Sequence, residues 1–128
     1  LIVSKDHELA SLDSVDLKDL GDYPFVYFNK ESGIRPLIDS LFEKVNVTPK
    51  IICEVEEDSA VIGLVTVDYG IAIMPNISLI KNFDVKVLRI TNPIIKRYIY
   101  LASMKNKYIS PSASLFRSYI IKNLSENL

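Results

Sequence analysis

Histidine and cysteine, which supply many catalytic bases, nucleophiles and metal ligands, each occur once in the chain, as His7 and Cys53. A multi-histidine metal site has nothing further to draw on, so we expect His7 to have a structural role in a loop. Cys53 lies in the apolar segment 50–55, with no nearby basic residue on its own strand to favour the thiolate. We predict that Cys53 is a buried core thiol, and a lone cysteine cannot form an internal disulfide.

An acidic cluster is formed by Glu54, Glu56, Glu57 and Asp58. Carboxylates of this kind suit hard cations, but no loop of regular ligand spacing follows the cluster. We therefore predict solvated charges that are placed favourably at the N-terminus of a helix. The sequence predicts no metal site and no cofactor.

A polar segment that contains Ser32 and Gly33 gives the clearest indication of ligand recognition. A hydroxyl and free backbone N–H groups at a helix N-terminus form a site for a polar or anionic group. Ser32 can also be the N-cap of the helix, and the two roles are compatible. Lys30 and Arg35 flank the helix start, where they either attract an anion or are surface residues.

The pattern of apolar residues predicts the elements that position these groups. Aromatic and β-branched residues at 25–28 predict a strand. Spacings of three and four then predict a helix that begins close to Ser32, with Pro36 in its first turn, and that ends before Pro49. The buried face of this helix consists of Ile34, Leu37, Ile38, Leu41, Phe42 and Val45. The further predicted strands are at 51–55, 71–74, 85–90 and 98–102. Between them we predict a helix capped by Asp58 or Ser59 and a short helix from Asn76 through Ile80. A final helix follows Ser110, and one of its faces consists of Leu115, Phe116, Tyr119, Ile120 and Leu124.

Alternating strands and helices predict an α/β fold with a mostly parallel sheet flanked by helices. Ligands of such folds bind beyond the carboxyl ends of the strands, where loops and helix N-termini meet. The loops at that edge are 29–33, 56–59 and 75–76. We therefore expect the ligand-binding residues to be Asn29, Ser32, Gly33, Asp58, Pro75 and Asn76.

Length and composition restrict the class of protein. The 128 residues suffice for one domain or for one lobe of a larger domain, and 48% of them are hydrophobic. The net charge of -1 lacks the positive field that holds nucleic acid, and no apolar stretch is long enough to span a membrane. We expect a cytoplasmic protein. Because the strand-like segment 1–4 begins without an initiator Met, we also expect a piece of a longer polypeptide.

Five segments together resemble a known family. In order they are Leu1-Ile-Val-Ser-Lys-Asp-His-Glu-Leu-Ala10, Val15-Asp-Leu-Lys-Asp-Leu20, Asn29-Lys-Glu-Ser-Gly33, Val65-Thr-Val-Asp-Tyr-Gly-Ile-Ala-Ile-Met-Pro75, and Ser110-Pro111 before a helix. Their order and spacing resemble the C-terminal part of the effector-binding domain of LysR-type transcriptional regulators. Two positions depart from that pattern: Glu8 replaces a Pro, and Asp68 replaces a Gly at a helix end that requires a positive φ, which Asp tolerates.

The resemblance implies a periplasmic-binding-protein-like architecture, in which two lobes joined by two crossing strands enclose an effector. Residues 1–128 would then be a partial effector-binding domain, with the second lobe at about 20–90. Residues 1–4 and 98–102 would be the linking strands, and the helix at 111–125 would belong to the first, mostly missing lobe. The resemblance also implies antiparallel dimers, and a separate N-terminal winged helix-turn-helix through which alone DNA is bound.

Three classes of function remain open at this point. The leading hypothesis is a domain that senses a small-molecule effector, favoured to be an anion or a zwitterion, and that controls DNA binding allosterically. An alternative of the same architecture is a substrate-binding protein of a transport system, which the sequence upstream of Leu1 would distinguish. An enzyme of doubly wound fold is disfavoured, because the chain has no phosphate-binding glycine loop and no nucleophile elbow.

Overall fold

The computed structural model describes residues 1–95 and 97–125, with the side chains of Leu124 and Ser125 excepted. The chain divides into two compact units, Leu1–Ile95 and Lys96–Leu128. The predicted place of the Leu124 side chain on one face of the final helix, and the last three residues of the expected domain, lie outside the described part. In the described residues no helix is both long and apolar enough to cross a membrane.

The first unit is built on strands that pair mostly in parallel. β1 (Ile2–Ser4) pairs antiparallel with β5 (Val85–Val87), β2 (Ser14–Asp16) lies parallel to β6 (Arg89–Asn92), and β3 (Pro24–Phe28) lies parallel to β4 (Lys50–Val55). The predicted strand at 71–74 is reduced to single bridges at Ile71, parallel to β3, and at Ala72, antiparallel to β1.

These pairings fix the order of the strands across the sheet as β4, β3, the segment 71–72, β1 and β5. Ile71 donates its N–H to Pro24 O at 2.8 Å, and Val26 donates to Ile71 O at 2.9 Å. The predicted strand at 85–90 is two strands, because β5 pairs with β1 while β6 turns away to pair with β2. The mostly parallel α/β sheet is confirmed.

Two α-helices and three 3₁₀ helices accompany the sheet of the first unit. The first α-helix starts three residues later than predicted, and Ser32 is not its N-cap, because Ile34 occupies the cap position without a side-chain bond. Pro36 lies in the first turn and Asn46 ends the helix with φ of 55°, as expected. The second α-helix has Glu57, not Asp58 or Ser59, at its N-cap. The helices are α1 (Arg35–Val45), α2 (Asp58–Thr66) and the 3₁₀ turns Glu8–Ser11, Leu17–Leu20 and Ser78–Asn82.

The core lies between the helices and the sheet. Phe25 and Phe42 meet edge to face, with ring centroids 5.2 Å apart, and so join β3 to α1. Asp68 has φ of 58°, so the position at which a Gly was expected does carry a positive φ. The predicted inner face of α1 is confirmed for its last four members, whereas Ile34 and Leu37 are half-buried. Further buried side chains are Ile2, Val3, Leu17, Leu20, Val26, Tyr27, Phe28, Val61, Ile62, Val65, Ile71, Ala72 and Leu88.

β4 is an edge strand, and its burial corrects the prediction for Cys53. Within the described residues β4 pairs with β3 alone. Ile51 and Ile52 are 38% and 37% exposed, and Cys53 is half-buried instead of buried. The strand prediction is confirmed. Because an edge strand is covered less completely than a central strand, the thiol of Cys53 remains partly exposed.

The described residues of the second unit contain one helix, α3 (Pro111–Ser125). The predicted final helix is thereby confirmed. The predicted strand at 98–102 is wrong, since residues 97–104 have no regular structure. Tyr98 and Ile99 favour a strand locally, but a strand also requires a hydrogen-bonding neighbour, and no described residue pairs with this segment.

Candidate functional site

The loops predicted to bind a ligand do begin at one edge of the sheet. β3 and β4 end together, and Asn29 just beyond β3 donates its N–H to Val55 O at the end of β4, at 2.9 Å. The segment that leads to Pro75 and Asn76 runs parallel to β3, because the bridge between Phe25 and Ile71 is parallel. The carboxyl ends of all three segments therefore point in the same direction.

A compact turn connects β3 to α1. The Oδ1 atom of Asn29 accepts the N–H of Ser32 at 3.0 Å, and the carbonyl oxygen of Asn29 accepts the same N–H at 3.2 Å. Ser32 O in turn accepts the N–H of Arg35 at 3.1 Å. The N–H of Ser32, which the sequence led us to expect to be free, is therefore bonded to Asn29 within the turn.

Several donors at this turn have no acceptor among residues 1–95 and 97–125. They are the side-chain amide of Asn29, the hydroxyl of half-buried Ser32, and the N–H groups of Gly33 and Ile34. A Cβ atom added at Gly33 would meet nothing within 4 Å, so there is open space above this residue. The turn can therefore donate hydrogen bonds to the oxygen atoms of a small ligand.

The second predicted loop leads into α2, whose first residue is the half-buried Asp58. Glu57 O accepts the N–H groups of Ala60 and Val61, at 3.0 and 3.1 Å. The N–H groups of Asp58 and Ser59 have no acceptor within the part of the chain that the structure describes. No group of three or more His, Cys, Asp or Glu side chains in that part could hold a metal ion.

The third predicted loop borders two cavities in the first unit. Asn76 is exposed and lines a cavity of about 380 Å³ together with Met74 and Arg89. Met74 and Arg89 also line a larger cavity of about 490 Å³, whose wall includes Thr91. Pro75 is half-buried beside them. The walls combine apolar side chains with a cation, an amide and a hydroxyl, which suits a small amphiphilic anion.

Arg89 was not predicted from the sequence. It is exposed at the start of β6, its N–H donates to Asp13 O at 3.1 Å, and it forms no ion pair with any described residue. Its place at the carboxyl edge follows from the separation of β5 and β6, whereas the sequence predicted a single strand at 85–90. An arginine between two apolar residues is the only local signal of that position.

The structure groups the predicted residues into two sets. Asn29, Ser32 and Gly33 share one turn, and Asp58 follows the neighbouring strand. Pro75 and Asn76 lie at the same edge, next to the cavities. No hydrogen bond within residues 1–95 and 97–125 joins the second set to the first.

A buried arginine behind the turn is a second feature that was not predicted. Arg35 is 9% exposed, although the sequence analysis allowed it to be a surface residue. Its Nη1 atom donates to Phe28 O and to Glu54 Oε1, both at 2.6 Å, and its Nε atom donates to Asp39 at 3.0 Å. Burial alone would lower the pKa of Arg35, but the bonds to Glu54 and Asp39 raise it, so the guanidinium stays charged. The sequence signal for the contact between Arg35 and Asp39 was their spacing of four residues, which brings two side chains together on a helix.

His7 has the structural role that was expected. Its Nδ1 atom accepts the N–H of Leu9 at 3.1 Å and so caps the first 3₁₀ helix. The hydroxyl of Tyr23 donates to the carboxylate of Glu8 at 2.5 Å, and this bond raises the pKa of Tyr23. Glu8, at the position where the resemblance led us to expect Pro, therefore accepts a side-chain hydrogen bond from Tyr23.

Comparisons with known proteins agree with one another. The family described as LysR substrate binding domain matches residues 1–125. The uncharacterized HTH-type transcriptional regulator YybE of Bacillus subtilis is 33% identical over 98% of this chain and 43% of its own length. The chain therefore spans less than half of that relative.

Solved structures match the same region. The effector-binding domain of QuiR in complex with shikimate is 52% identical, with a TM-score of 0.87 over 95% of this chain and 58% of that chain. The regulatory domain of CcmR from Synechocystis PCC6803 in complex with 2-PG is 25% identical, with a TM-score of 0.84 over 94% of this chain and 60% of that chain. The expected effector-binding-domain architecture is confirmed.

Proposed function

Because this chain belongs to the LysR substrate-binding domain family, we propose that it senses a small-molecule effector for a LysR-type transcription regulator. A separate N-terminal winged helix-turn-helix would bind DNA, and this chain would control that binding allosterically. It would do so in the cytoplasm, without turning over its ligand and without a cofactor. Effector binding would favour one arrangement of lobes or subunits and would shift the equilibrium by the difference in affinity between the two.

The proposal is supported chiefly by the donors at the carboxyl edge that have no acceptor among the described residues. One short turn carries these donors, which are the side-chain amide of Asn29, the hydroxyl of Ser32 and the N–H of Gly33. We propose that they bind the polar end of the effector, with Asp58, Pro75 and Asn76 on the neighbouring loops. An α/β sheet binds ligands at this edge, so the position agrees with the fold.

We propose a small carboxylate as the effector. QuiR is solved with shikimate and BenM with benzoate, and both of these ligands are carboxylates. Arg89 is a second candidate contact, because its guanidinium lines both cavities and forms no ion pair with a described residue.

The transport alternative is not favoured, since the relatives are transcription regulators. The family is a regulatory one and not a family of enzymes.

Calorimetric titration tests the proposal, with shikimate and benzoate added to the polypeptide that carries this chain. We expect saturable binding of at least one of them, and a change in operator affinity at saturating ligand. Operator binding that stays the same while the carboxylate is bound would contradict the regulatory role. Chemical change of the ligand during incubation would contradict the absence of turnover.

A further inference from the structure

Arg35 binds both ends of the turn that carries the unpaired donors. Its Nη1 atom donates to the carbonyl oxygen of Phe28, the last residue before the turn, at 2.6 Å. Its backbone N–H donates to Ser32 O, within the turn, at 3.1 Å. One residue therefore fixes the entry and the exit of residues 29–34 relative to each other.

The guanidinium of Arg35 is itself held by three elements. Glu54 on β4 accepts from Nη1 at 2.6 Å, and Asp39 on α1 accepts from Nε with both oxygens, at 3.0 and 3.1 Å. The guanidinium carbon stands 4.4 Å from the ring centroid of Tyr27 on β3, whose hydroxyl donates to Asp39 at 2.9 Å. Two carboxylates more than neutralise the one cation, so Arg35 is not itself available to an anionic ligand.

We propose that Arg35 is a positioning residue for the effector site. It holds the turn 29–34 in the shape in which Asn29, Ser32 and Gly33 can donate to one ligand, and it does not touch the ligand. This inference rests on the proposed function of that turn. It adds that effector affinity depends on a side chain behind the turn.

The geometry of a guanidinium is required for this role, and positive charge alone is not enough. Arg35 uses Nε towards one carboxylate and Nη1 towards Phe28 O and the other carboxylate at the same time. The single ammonium of lysine cannot reach all of these acceptors from one position. Lysine would preserve a cation between Asp39 and Glu54 and would release the carbonyl oxygen at the end of β3.

The test compares Arg35→Lys with Lys44→Met, which removes a cation from an exposed position near the other end of α1. Shikimate affinity is measured by calorimetry, hydrogen exchange of residues 29–34 by mass spectrometry, and global stability by urea unfolding. We expect Arg35→Lys to weaken shikimate binding by about tenfold or more, as for the loss of a charge-assisted hydrogen bond. Exchange in the turn should become faster, while exchange in the core of α2 stays protected.

Each outcome separates this inference from the proposed function. If Arg35→Lys binds shikimate as the wild type does, or if the turn exchanges at the wild-type rate, Arg35 does not position the site. If the wild type binds no shikimate, the choice of effector fails, and hydrogen exchange still decides whether Arg35 holds the turn. Should Arg35→Lys not fold, Glu54→Gln removes the negative charge opposite Nη1 but keeps an oxygen that can accept its hydrogen bond, and is expected to cause a smaller change in the same two measurements.

Discussion

The hydroxyl of Tyr27 donates to Oδ1 of Asp39 at 2.9 Å and so ties the middle of β3 to α1. Burial raises the pKa of this phenol above its ordinary value of about 10, and the bond to Asp39 raises it further. The folded state therefore favours the neutral phenol. Its contribution to stability is fully present below pH 10 and is lost as the pH rises above that value.

Tyr27→Phe tests this relationship. At pH 7 we expect the variant to be less stable by about 1 kcal/mol, since it lacks one part-buried hydrogen bond. Urea unfolding at a series of pH values should show that the difference between wild type and variant shrinks above pH 10. A difference that stays constant up to pH 12 would mean that the phenol does not titrate as the structure indicates.

Ser32→Ala should weaken effector binding and leave the fold intact. The hydroxyl of Ser32 has no partner among the described residues, so only a bond to the effector is lost, of about 0.5–1.5 kcal/mol. Promoter output and operator binding are measured during effector titration. Ser40→Ala is the control, because the Ser40 hydroxyl is bonded to Leu37 O within α1. An effector response identical to that of the wild type would remove Ser32 from the site.

Arg89→Met should reduce the affinity for carboxylate effectors selectively. Methionine preserves much of the apolar wall of the cavities and removes the cation, so affinity for an uncharged amide analogue should change little. Lys81→Met removes a cation from an exposed 3₁₀ helix and serves as the control. Equal losses for the carboxylate and the amide would show that Arg89 acts through packing and not through its charge.

Gly70→Ala should destabilise the first unit. A Cβ atom at Gly70 would lie 2.7 Å from the carbonyl oxygen of Pro24, and this contact involves backbone that cannot move aside cheaply. We expect a loss of about 1–3 kcal/mol in the free energy of unfolding. Gly63→Ala is the control, because its Cβ would meet nothing within 4 Å and α2 should gain about 0.5–1 kcal/mol. Equal effects at the two positions would contradict the close approach at Gly70.

The second unit should cause self-association. Leu115, Phe116 and Tyr119 on α3 are 74%, 60% and 63% exposed, and an exposed apolar group of this kind favours contact with another chain. Sedimentation at high concentration should show at least a dimer, and Phe116→Asp should shift it towards monomer. Ser118→Asp adds the same charge to the same helix and should have a smaller effect. A strictly monomeric wild type would refute this prediction.

Local pattern was sufficient for the parts of the fold that depend on neighbours in sequence. The apolar spacing of α1 and its stop at Asn46 follow from residues within a few positions, whereas the positive φ of Asp68 was expected from the family resemblance. The edge of the sheet that carries the candidate loops also followed, because parallel order fixes where carboxyl ends lie.

Partners distant in sequence account for what local pattern could not predict. Glu54, which binds Arg35, lies 19 residues away, so its contact depends on the pairing of β3 with β4. The division of 85–90 into two strands depends on β1 and β2, at the other end of the chain. The segment 98–102 has the composition of a strand, but among the described residues it has no neighbour to pair with.

The position of β4 has a consequence for how this chain behaves in concentrated solution. A strand paired on one side presents a free row of backbone donors and acceptors, which can template the addition of a foreign strand and the growth of aggregates. Exposed Ile51 and Ile52 add an apolar surface to that row. Lys50, which is also exposed, places a charge on the same strand. Such a charge opposes stacking of like edges, so replacing Lys50 with an apolar residue should make the protein more prone to aggregate.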